Sequence, residues 1–212
     1  MNLPNKISLA RICMIPVFVA VFFLNVIPFH YGIAAIIFVV ACCTDFIDGY
    51  IARSRGLVTN LGKFLDPIAD KVLVATAMML LLTMRNSLFA LLGNIAEAVY
   101  IASTVCIAVI LARELIISAF RQIAAANGIV MAAEKLGKYK TACQDVAIFV
   151  LLLANAFRGM FAQILAWVGF ALFAVATVLT VWSGISYVGK NKVVLLDKKE
   201  ETTTEQGGGE KA

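Results

Sequence analysis

The sequence has little of several residue types on which enzyme sites and folds often depend. It contains one histidine, His30, in 212 residues, which leaves little room for histidine-based catalysis. The five cysteines stand in apolar runs, and their odd number and the absence of a C-x-x-C pair argue against a disulfide framework or a zinc site. We expect His30 to be an interfacial residue near a helix end. We expect the cysteines to behave as small buried hydrophobic residues; they are Cys13, Cys42, Cys43, Cys106 and Cys143.

Acidic residues are also few, at 13 against 18 lysines and arginines, and the net charge is +5. Such a charge can indicate nucleic-acid binding, but here the basic residues gather at the ends of apolar segments instead of forming one soluble face. The chain is 62% hydrophobic, with a mean hydropathy of +0.93. These values predict a membrane protein of one compact unit that has no nucleic-acid partner and presents a basic surface suited to anionic lipids.

Segments of about 20 apolar residues, the length that crosses a bilayer, recur along the chain. They predict six transmembrane helices, at about 8–28, 32–53, 63–83, 98–121, 138–157 and 163–188. Of the basic residues only Arg85 and Arg158 fall on one side, so the other side, with both termini, is predicted to be cytoplasmic.

The predicted architecture is therefore an all-α integral membrane protein of the cytoplasmic (inner) membrane. It has a six-helix membrane domain over residues 1–189 and a disordered cytoplasmic tail over 190–212. The less apolar segment 84–97 is predicted to form an outer loop with a short interfacial helix.

The window DFIDGYIARSRGLVTNLGKFLDPIAD, residues 45–70, concentrates four of the acids in apolar sequence. Asp45 and Asp48 are three apart and Asp66 and Asp70 are four apart, so each pair projects from one face of its own helix. A carboxylate at membrane depth costs at least about 2.5–3.5 kcal/mol. A bound hard cation (Mg²⁺, Mn²⁺ or Ca²⁺) is the simplest compensation, and we expect it near the cytoplasmic surface. Pro67 is expected at the beginning of the third helix, where a missing amide is tolerated.

The window contains a longer pattern, D-x2-D-G-x2-A-R-x8-G-x3-D-x3-D. Its fixed positions are Asp45, Asp48, Gly49, Ala52, Arg53, Gly62, Asp66 and Asp70. This pattern resembles the signature of the CDP-alcohol phosphotransferases, integral membrane enzymes of phospholipid synthesis. Four further stretches are similar to bacterial phosphatidylglycerophosphate synthases: MNLPNKISLARICMIPVF, LVTNLGKFLDPIADK, ARE at 112–114 and KLGKYKT at 135–141. The resemblance implies transfer of a phosphatidyl group from CDP-diacylglycerol to glycerol 3-phosphate, with release of CMP, an active-site cavity open to the cytoplasm and a homodimer.

The resemblance also implies roles for the aspartates. Asp45 and Asp66 would contact two divalent ions, Mg²⁺ or Mn²⁺, while Asp48 would bind the first and Asp70 the second. Two such ions would neutralise the diphosphate of the donor and stabilise charge during displacement. Asp70 is also the implied general base for the acceptor hydroxyl.

Residues around the aspartates are candidates for binding CDP-diacylglycerol. Small residues would let a nucleotide approach the helix, although they also serve close helix packing. Arg53 and Thr59 are implied contacts, and guanidinium–phosphate pairing suits the former. The donor-site candidates are Asn5, Gly49, Ala52, Arg53, Thr59 and Gly62.

Basic residues on the predicted cytoplasmic side are candidates for the phosphate of the acceptor, because its oxygens need charged donors. They are Arg113, Arg121, Lys135 and Lys138. Lys138, Thr141 and Asp145 follow helical spacing and predict a polar seam that faces the bundle or a cavity. Lys140 is expected to face lipid headgroups.

Other functions remain open at this point. A sister enzyme could use inositol phosphate, serine or phosphatidylglycerol as acceptor; the basic residues favour a phosphorylated one. An ion-coupled transporter would place acids near the bilayer midplane beside broken helices, and neither feature is evident. A purely structural bundle would leave four acids with two bases, Arg53 and Lys71, as partners.

Overall fold

A computed structural model of the chain describes residues 3–54, 60–126 and 135–190, with side chains for 9–44, 68–124, 137, 139–187 and 189. This part of the chain is helical and contains no β-strand. Its elements are α1 (Leu3–Phe23), α2 (His30–Ser54), α3 (Asn60–Thr83), a short 3-10 helix (Phe89–Ile95), α4 (Ala96–Ala126), α5 (Lys135–Ala156) and α6 (Gly159–Lys190). The predicted all-α class is confirmed, and each predicted span overlaps one of the six α-helices.

Two helical stretches of the described residues are long and apolar enough to cross a membrane, Phe89–Ala124 and Gly159–Tyr187. The apolar stretches Leu9–Phe23 and His30–Thr44 are shorter. The structure therefore supports a membrane protein by the length and composition of its helices, while the crossing of the bilayer by all six helices stays a prediction.

Two predicted boundaries were wrong. The first helix ends at Phe23 instead of position 28, because the chain turns there: the Leu24 amide donates to the Val21 carbonyl, and Phe29 has a left-handed φ of 66°. The third helix begins at Asn60, so Pro67 lies about two turns inside it and not in its first turn. A proline at that depth has no amide to donate to the preceding turn.

Small residues let the helices pack closely around α5, which contacts α2, α3 and α6. Fully buried alanines line the helix contacts, namely Ala34, Ala35 and Ala41 on α2, Ala147 and Ala154 on α5, and Ala162, Ala166 and Ala176 on α6. Gly169 of α6 lies so close to α5 that an added Cβ would stand 2.7 Å from the Leu151 side chain and 3.3 Å from its backbone nitrogen. Close approach through small residues increases van der Waals contact between helices. This contact is needed in a membrane because lipid tails are as apolar as the side chains, so no hydrophobic effect drives the helices together.

The segment between α3 and α4 contains the short helix that the sequence predicts, here of the 3-10 type. Next to it, Arg85 forms a bidentate ion pair with Glu97 at 2.6 and 2.7 Å, and its guanidinium lies 4.8 Å from the centre of the Tyr100 ring. The hydrogen bonds from Arg85 to the Glu97 carboxylate, together with its charge, raise the pKa of Arg85 above its usual value. Both side chains are more than half exposed.

The predicted burial of the cysteines was wrong. All five are free thiols; Cys13 and Cys43 are exposed, and the other three are partly exposed. An apolar neighbourhood in sequence does not distinguish the core from the outer face when the outer face of a bundle is also apolar. His30 is the first residue of α2, with its Nδ1 3.3 Å from the Ile27 carbonyl oxygen, as expected of a residue near a helix end.

Candidate active site

The four aspartates of the window lie at the joined ends of two consecutive helices. Asp45 and Asp48 are in the last turns of α2, and Asp66 and Asp70 are in the first turns of α3, with only residues 55–59 between the helices. At 1.5 Å per residue, the first pair lies roughly 9–14 Å before the end of α2 and the second roughly 9–15 Å after the start of α3. The helices contact each other, so both pairs sit at similar depth.

Of these four side chains, the structure describes Asp70. Its carboxylate lines a cavity of about 280 Å³ between α3, α4 and α5. The polar lining residues are Asp70, Lys71, Glu114, Thr141 and Gln144. The remaining walls are apolar and comprise Val72, Val74, Ala75, Met78, Met79, Leu111 and Leu115. The acid of the signature that is described therefore opens into a space large enough for a small polar molecule.

A network of charges crosses the bundle beside this cavity. Lys140 of α5 is 3% exposed, and its Nζ forms an ion pair with Oε1 of Glu114 on α4. The same carboxylate oxygen accepts from Nη1 of Arg113 at 3.3 Å. Glu114 lines the cavity together with Asp70 and Lys71 of α3, so charged residues of α3, α4 and α5 lie close to one another here.

Helix α6 holds the arginine of this network in place. Nη2 of Arg113 donates to Oγ of Ser183 at 2.7 Å, and Oγ of Ser183 in turn donates to the carbonyl oxygen of Thr180 at 3.3 Å. Gly184 makes room for the arginine, because a Cβ at that position would be 3.1 Å from Cγ of Arg113. The Arg113 guanidinium is thus fixed by contacts with α4 and α6 next to Glu114, which lines the cavity.

The other predicted phosphate-binding residues differ in what the structure describes. Arg121 of α4 is exposed, and its charge acts on Lys71. Lys135 and Lys138 belong to the first turns of α5, and their side chains lie outside the described residues.

The donor-site candidates are known from their backbone alone. Asn5 lies in α1, Gly49, Ala52 and Arg53 lie in the last turns of α2, and Gly62 lies in the first turn of α3. Thr59 lies outside the described residues, as does the predicted tail beyond Lys190.

The predicted polar seam of α5 is present where it is described. Thr141 lines the cavity, and Asp145, one turn further along α5, is partly buried. The expectation that Lys140 faces lipid headgroups was wrong. Helix α5 presents Gln144, Ala147, Ile148 and Leu151 to the interior of the bundle. Lys140 lies four residues before Gln144 and therefore falls on the same face of the helix.

Sequence reasoning missed Gln144 and Ser183, and it quoted Glu114 in the ARE stretch without giving it a role. Gln144 is buried and its Nε2 donates to Sδ of Met78 at 3.7 Å, which ties α5 to α3. The signal for Gln144 and Lys140 was the apolar stripe of α5, extended back toward its first turn. Ser183 had no such signal, because its role depends on contact with α4.

The donor set fits a divalent cation. Carboxylate oxygens from the joined ends of two helices are what hard cations such as Mg²⁺ and Mn²⁺ bind. Among the side chains that the structure describes there is no cluster of three or more acidic, histidine or cysteine residues; Asp45, Asp48 and Asp66 are not in that set.

Comparison with known proteins agrees with this arrangement. The family model for CDP-alcohol phosphatidyltransferases matches residues 1–182. A CDP-diacylglycerol–glycerol-3-phosphate 3-phosphatidyltransferase of Bacillus subtilis (strain 168) is 38% identical over 208 residues, covering 90% of this chain and 95% of that protein. Proteins of the same name from Shigella flexneri serotype 5b and Escherichia coli (strain K12) are each 40% identical over 201 residues, covering 93% of this chain and 98% of theirs. Family members generally depend on a divalent metal ion. The chain belongs to the CDP-alcohol phosphatidyltransferase family.

Proposed function

We propose that this protein transfers the phosphatidyl group of CDP-diacylglycerol to glycerol 3-phosphate and releases CMP, a step of phospholipid synthesis. The names of its relatives support the reaction and both substrates. The observation that carries the proposal is the cavity, which Asp70 lines together with Lys71 and with Glu114, the ion-pair partner of Arg113 and Lys140. An acid that can take a proton and cations that can hold a phosphate are what transfer to a phosphorylated alcohol requires.

The metal site is formed by Asp45, Asp48, Asp66 and Asp70, which would hold two ions, Mg²⁺ or Mn²⁺. When bound, these ions neutralise the diphosphate of the donor and stabilise charge on the departing CMP. The joined ends of α2 and α3 bring the four positions to a similar depth, which favours a shared site.

Asp70 is the general base in this proposal. Its carboxylate takes the proton of the acceptor hydroxyl as that oxygen bonds to the phosphorus that carries the diacylglycerol group. The bond from this phosphorus to the bridging oxygen of the diphosphate breaks, and CMP leaves with that oxygen. A base must lie within hydrogen-bond reach of the hydroxyl, and the cavity beside Asp70 provides the space for it.

The donor nucleotide would lie along the last turns of α2. The small residues there permit close approach, and Arg53 and Thr59 would pair with donor phosphates. The full donor set is Asn5, Gly49, Ala52, Arg53, Thr59 and Gly62.

The acceptor phosphate would be held by cations on the opposite side of Asp70. Arg113 is the best-supported of these, because α6 and Glu114 fix its guanidinium. The complete predicted set is Arg113, Arg121, Lys135 and Lys138.

In the membrane, all six α-helices would span the bilayer, with both termini and the cavity on the cytoplasmic side of the inner membrane. The distribution of basic residues supports this orientation. Residues 1–189 would form the membrane domain, and 190–212 a disordered tail. The protein would act as a homodimer, as its family resemblance implies.

The test is transfer of labelled glycerol 3-phosphate into the lipid phase by purified protein in detergent, with CDP-diacylglycerol and Mg²⁺. Parallel reactions contain Mn²⁺, EDTA, or serine, inositol phosphate and phosphatidylglycerol as acceptors. We expect metal-dependent transfer to glycerol 3-phosphate with release of CMP. CMP release with another acceptor alone would overturn the acceptor assignment, and no CMP release from folded protein with any acceptor would overturn the proposed reaction.

A further inference from the structure

Lys140 lies near the start of α5, on the side of the bundle where most basic residues gather, and yet it pairs with Glu114. A lysine there can extend toward water and headgroups at little cost. Instead its side chain is 4% exposed and turned inward to a carboxylate that is itself only 24% exposed. The Lys140 ammonium is almost fully desolvated and Glu114 is partly so, and the ammonium therefore depends on this carboxylate for compensation.

The location of the pair connects it to the site. Glu114 lines the same cavity as Asp70 and Lys71, and one of its oxygens contacts both Lys140 and Arg113. Two cations, Lys140 and Arg113, thus share one carboxylate of the cavity wall, although neither cation is itself a lining residue. The carboxylate therefore fixes both cations next to the cavity.

We propose that Glu114 is a positioning residue: it holds Lys140 and Arg113 next to the cavity, where their positive charge attracts the phosphate of the acceptor. Lys140 then supplies charge that the sequence-based set of acceptor residues omits. This inference rests on the proposed function, because the ligand it concerns is the phosphorylated acceptor. Glu114 acts through the two cations and takes no part in the transfer itself.

A simpler alternative is that the pair only stabilises the bundle, and one variant separates the two roles. Replacing both partners by methionine removes both charges and leaves side chains of similar length, which a buried site tolerates. A purely structural pair predicts that folded E114M/K140M binds the acceptor as the wild type does. A positioning role predicts that the folded double variant binds it poorly.

The experiment compares wild type, E114Q, K140M and E114M/K140M with the matched control E97Q, which alters the other lysine- or arginine-paired glutamate of the described chain. Each protein is checked for a single monodisperse species in detergent, and the KM values for glycerol 3-phosphate and for CDP-diacylglycerol are measured separately. For the double variant we expect the KM for glycerol 3-phosphate to rise about tenfold or more, the KM for CDP-diacylglycerol to change less than twofold, and E97Q to match the wild type. The KM for glycerol 3-phosphate of each single variant is expected to rise no more than that of the double variant, since the residues act as one unit.

A wild-type KM for glycerol 3-phosphate in the folded double variant would overturn the proposal, and so would a parallel rise in both KM values. Calorimetric titration with glycerol 3-phosphate separates this inference from the proposed function. If the wild type transfers nothing, the proposed function fails, and heat of binding that is lost in E114M/K140M still supports positioning. Equal binding by both proteins, or none by either, overturns it.

Discussion

In the part of the chain that the structure describes, Glu97 and Glu114 form ion pairs at opposite ends of the bundle, and the pairs Arg85–Glu97 and Lys140–Glu114 differ in exposure and surroundings. Arg85 lies in the connection after α3 and Glu97 in the first turn of α4; Nη2 of Arg85 donates to both carboxylate oxygens, and both side chains are more than half exposed. Lys140 and Glu114 meet between α4 and α5, where the lysine is almost removed from solvent and the glutamate is partly buried. Water screens the charges of the first pair, so that pair contributes little net stability. In the second pair the opposite charge replaces lost solvation, so removal of one partner is strongly destabilising. The exposed pair, in which the carboxylate accepts two short hydrogen bonds, is therefore the pair that contributes less to stability.

The two pairs also differ in where they lie relative to the candidate active site. The exposed pair closes the connection between α3 and α4, beyond the end of α3 that lies away from Asp70. The buried pair adjoins the cavity that contains Asp70, together with Arg113. Charges that a fold keeps inside an apolar bundle are candidates for function, and here they surround the proposed acceptor site.

Breaking the buried pair from one side should have the largest effect. Glu114→Ala leaves the Lys140 ammonium buried without its carboxylate, and we expect a loss of about 3–5 kcal/mol in the free energy of unfolding. Unfolding by SDS titration in mixed micelles measures this change. Unchanged stability would mean that solvent reaches Lys140 and that the pair is not buried in solution.

Loosening the arginine should have an intermediate effect. Ser183→Ala removes the acceptor of the 2.7 Å hydrogen bond from Arg113, and a bond to a charged group contributes about 1.5–3 kcal/mol. We expect a stability loss in this range in the same titration, with a higher KM for glycerol 3-phosphate. Ser183→Thr keeps the hydroxyl and serves as the matched variant; if it and the alanine variant behave alike, the hydrogen bond is not the cause.

Removing both charges of the buried pair should cost little stability. E114M/K140M replaces a desolvated pair with apolar side chains, so its free energy of unfolding is expected to lie within about 1 kcal/mol of the wild type. A loss as large as that of Glu114→Ala would show that the contacts of these side chains, and not their charges, set the stability.

Removing the exposed pair should have the smallest effect. Glu97→Gln is expected to leave the unfolding midpoint unchanged at physiological salt, because solvent already screens the two charges. The midpoint measured at low and at high salt checks this directly. A clear fall in the unfolding midpoint at both salt concentrations would mean that this pair stabilises the protein as the buried pair does.

Much of the fold followed from the pattern of apolar residues, and the limits were physical. Six apolar segments became six α-helices, and the aspartate spacing placed both acidic pairs at joined helix ends. Lys140 was misplaced because charge was weighed more heavily than its position on the apolar stripe of α5. The burial of the cysteines was misjudged because a membrane bundle is apolar on both its faces.

Within the site, short-range patterns were informative and long-range contacts were not. The polar seam of α5 was visible as helical spacing, whereas the contacts among Arg113, Glu114, Lys140 and Ser183 join three helices. No local pattern encodes such a meeting, because it depends on how the helices pack against each other.

The most direct test of the account is Asp70→Asn, assayed for transfer from CDP-diacylglycerol to glycerol 3-phosphate, with Mn²⁺ binding followed separately by electron paramagnetic resonance. Glu97→Gln is the matched control. If Asp70 is the base, its loss lowers kcat by about 10²–10⁴-fold while Mn²⁺ still binds at the three remaining aspartates. Wild-type turnover by folded Asp70→Asn would contradict the assignment of the base, and with it the claim that this cavity is the active site.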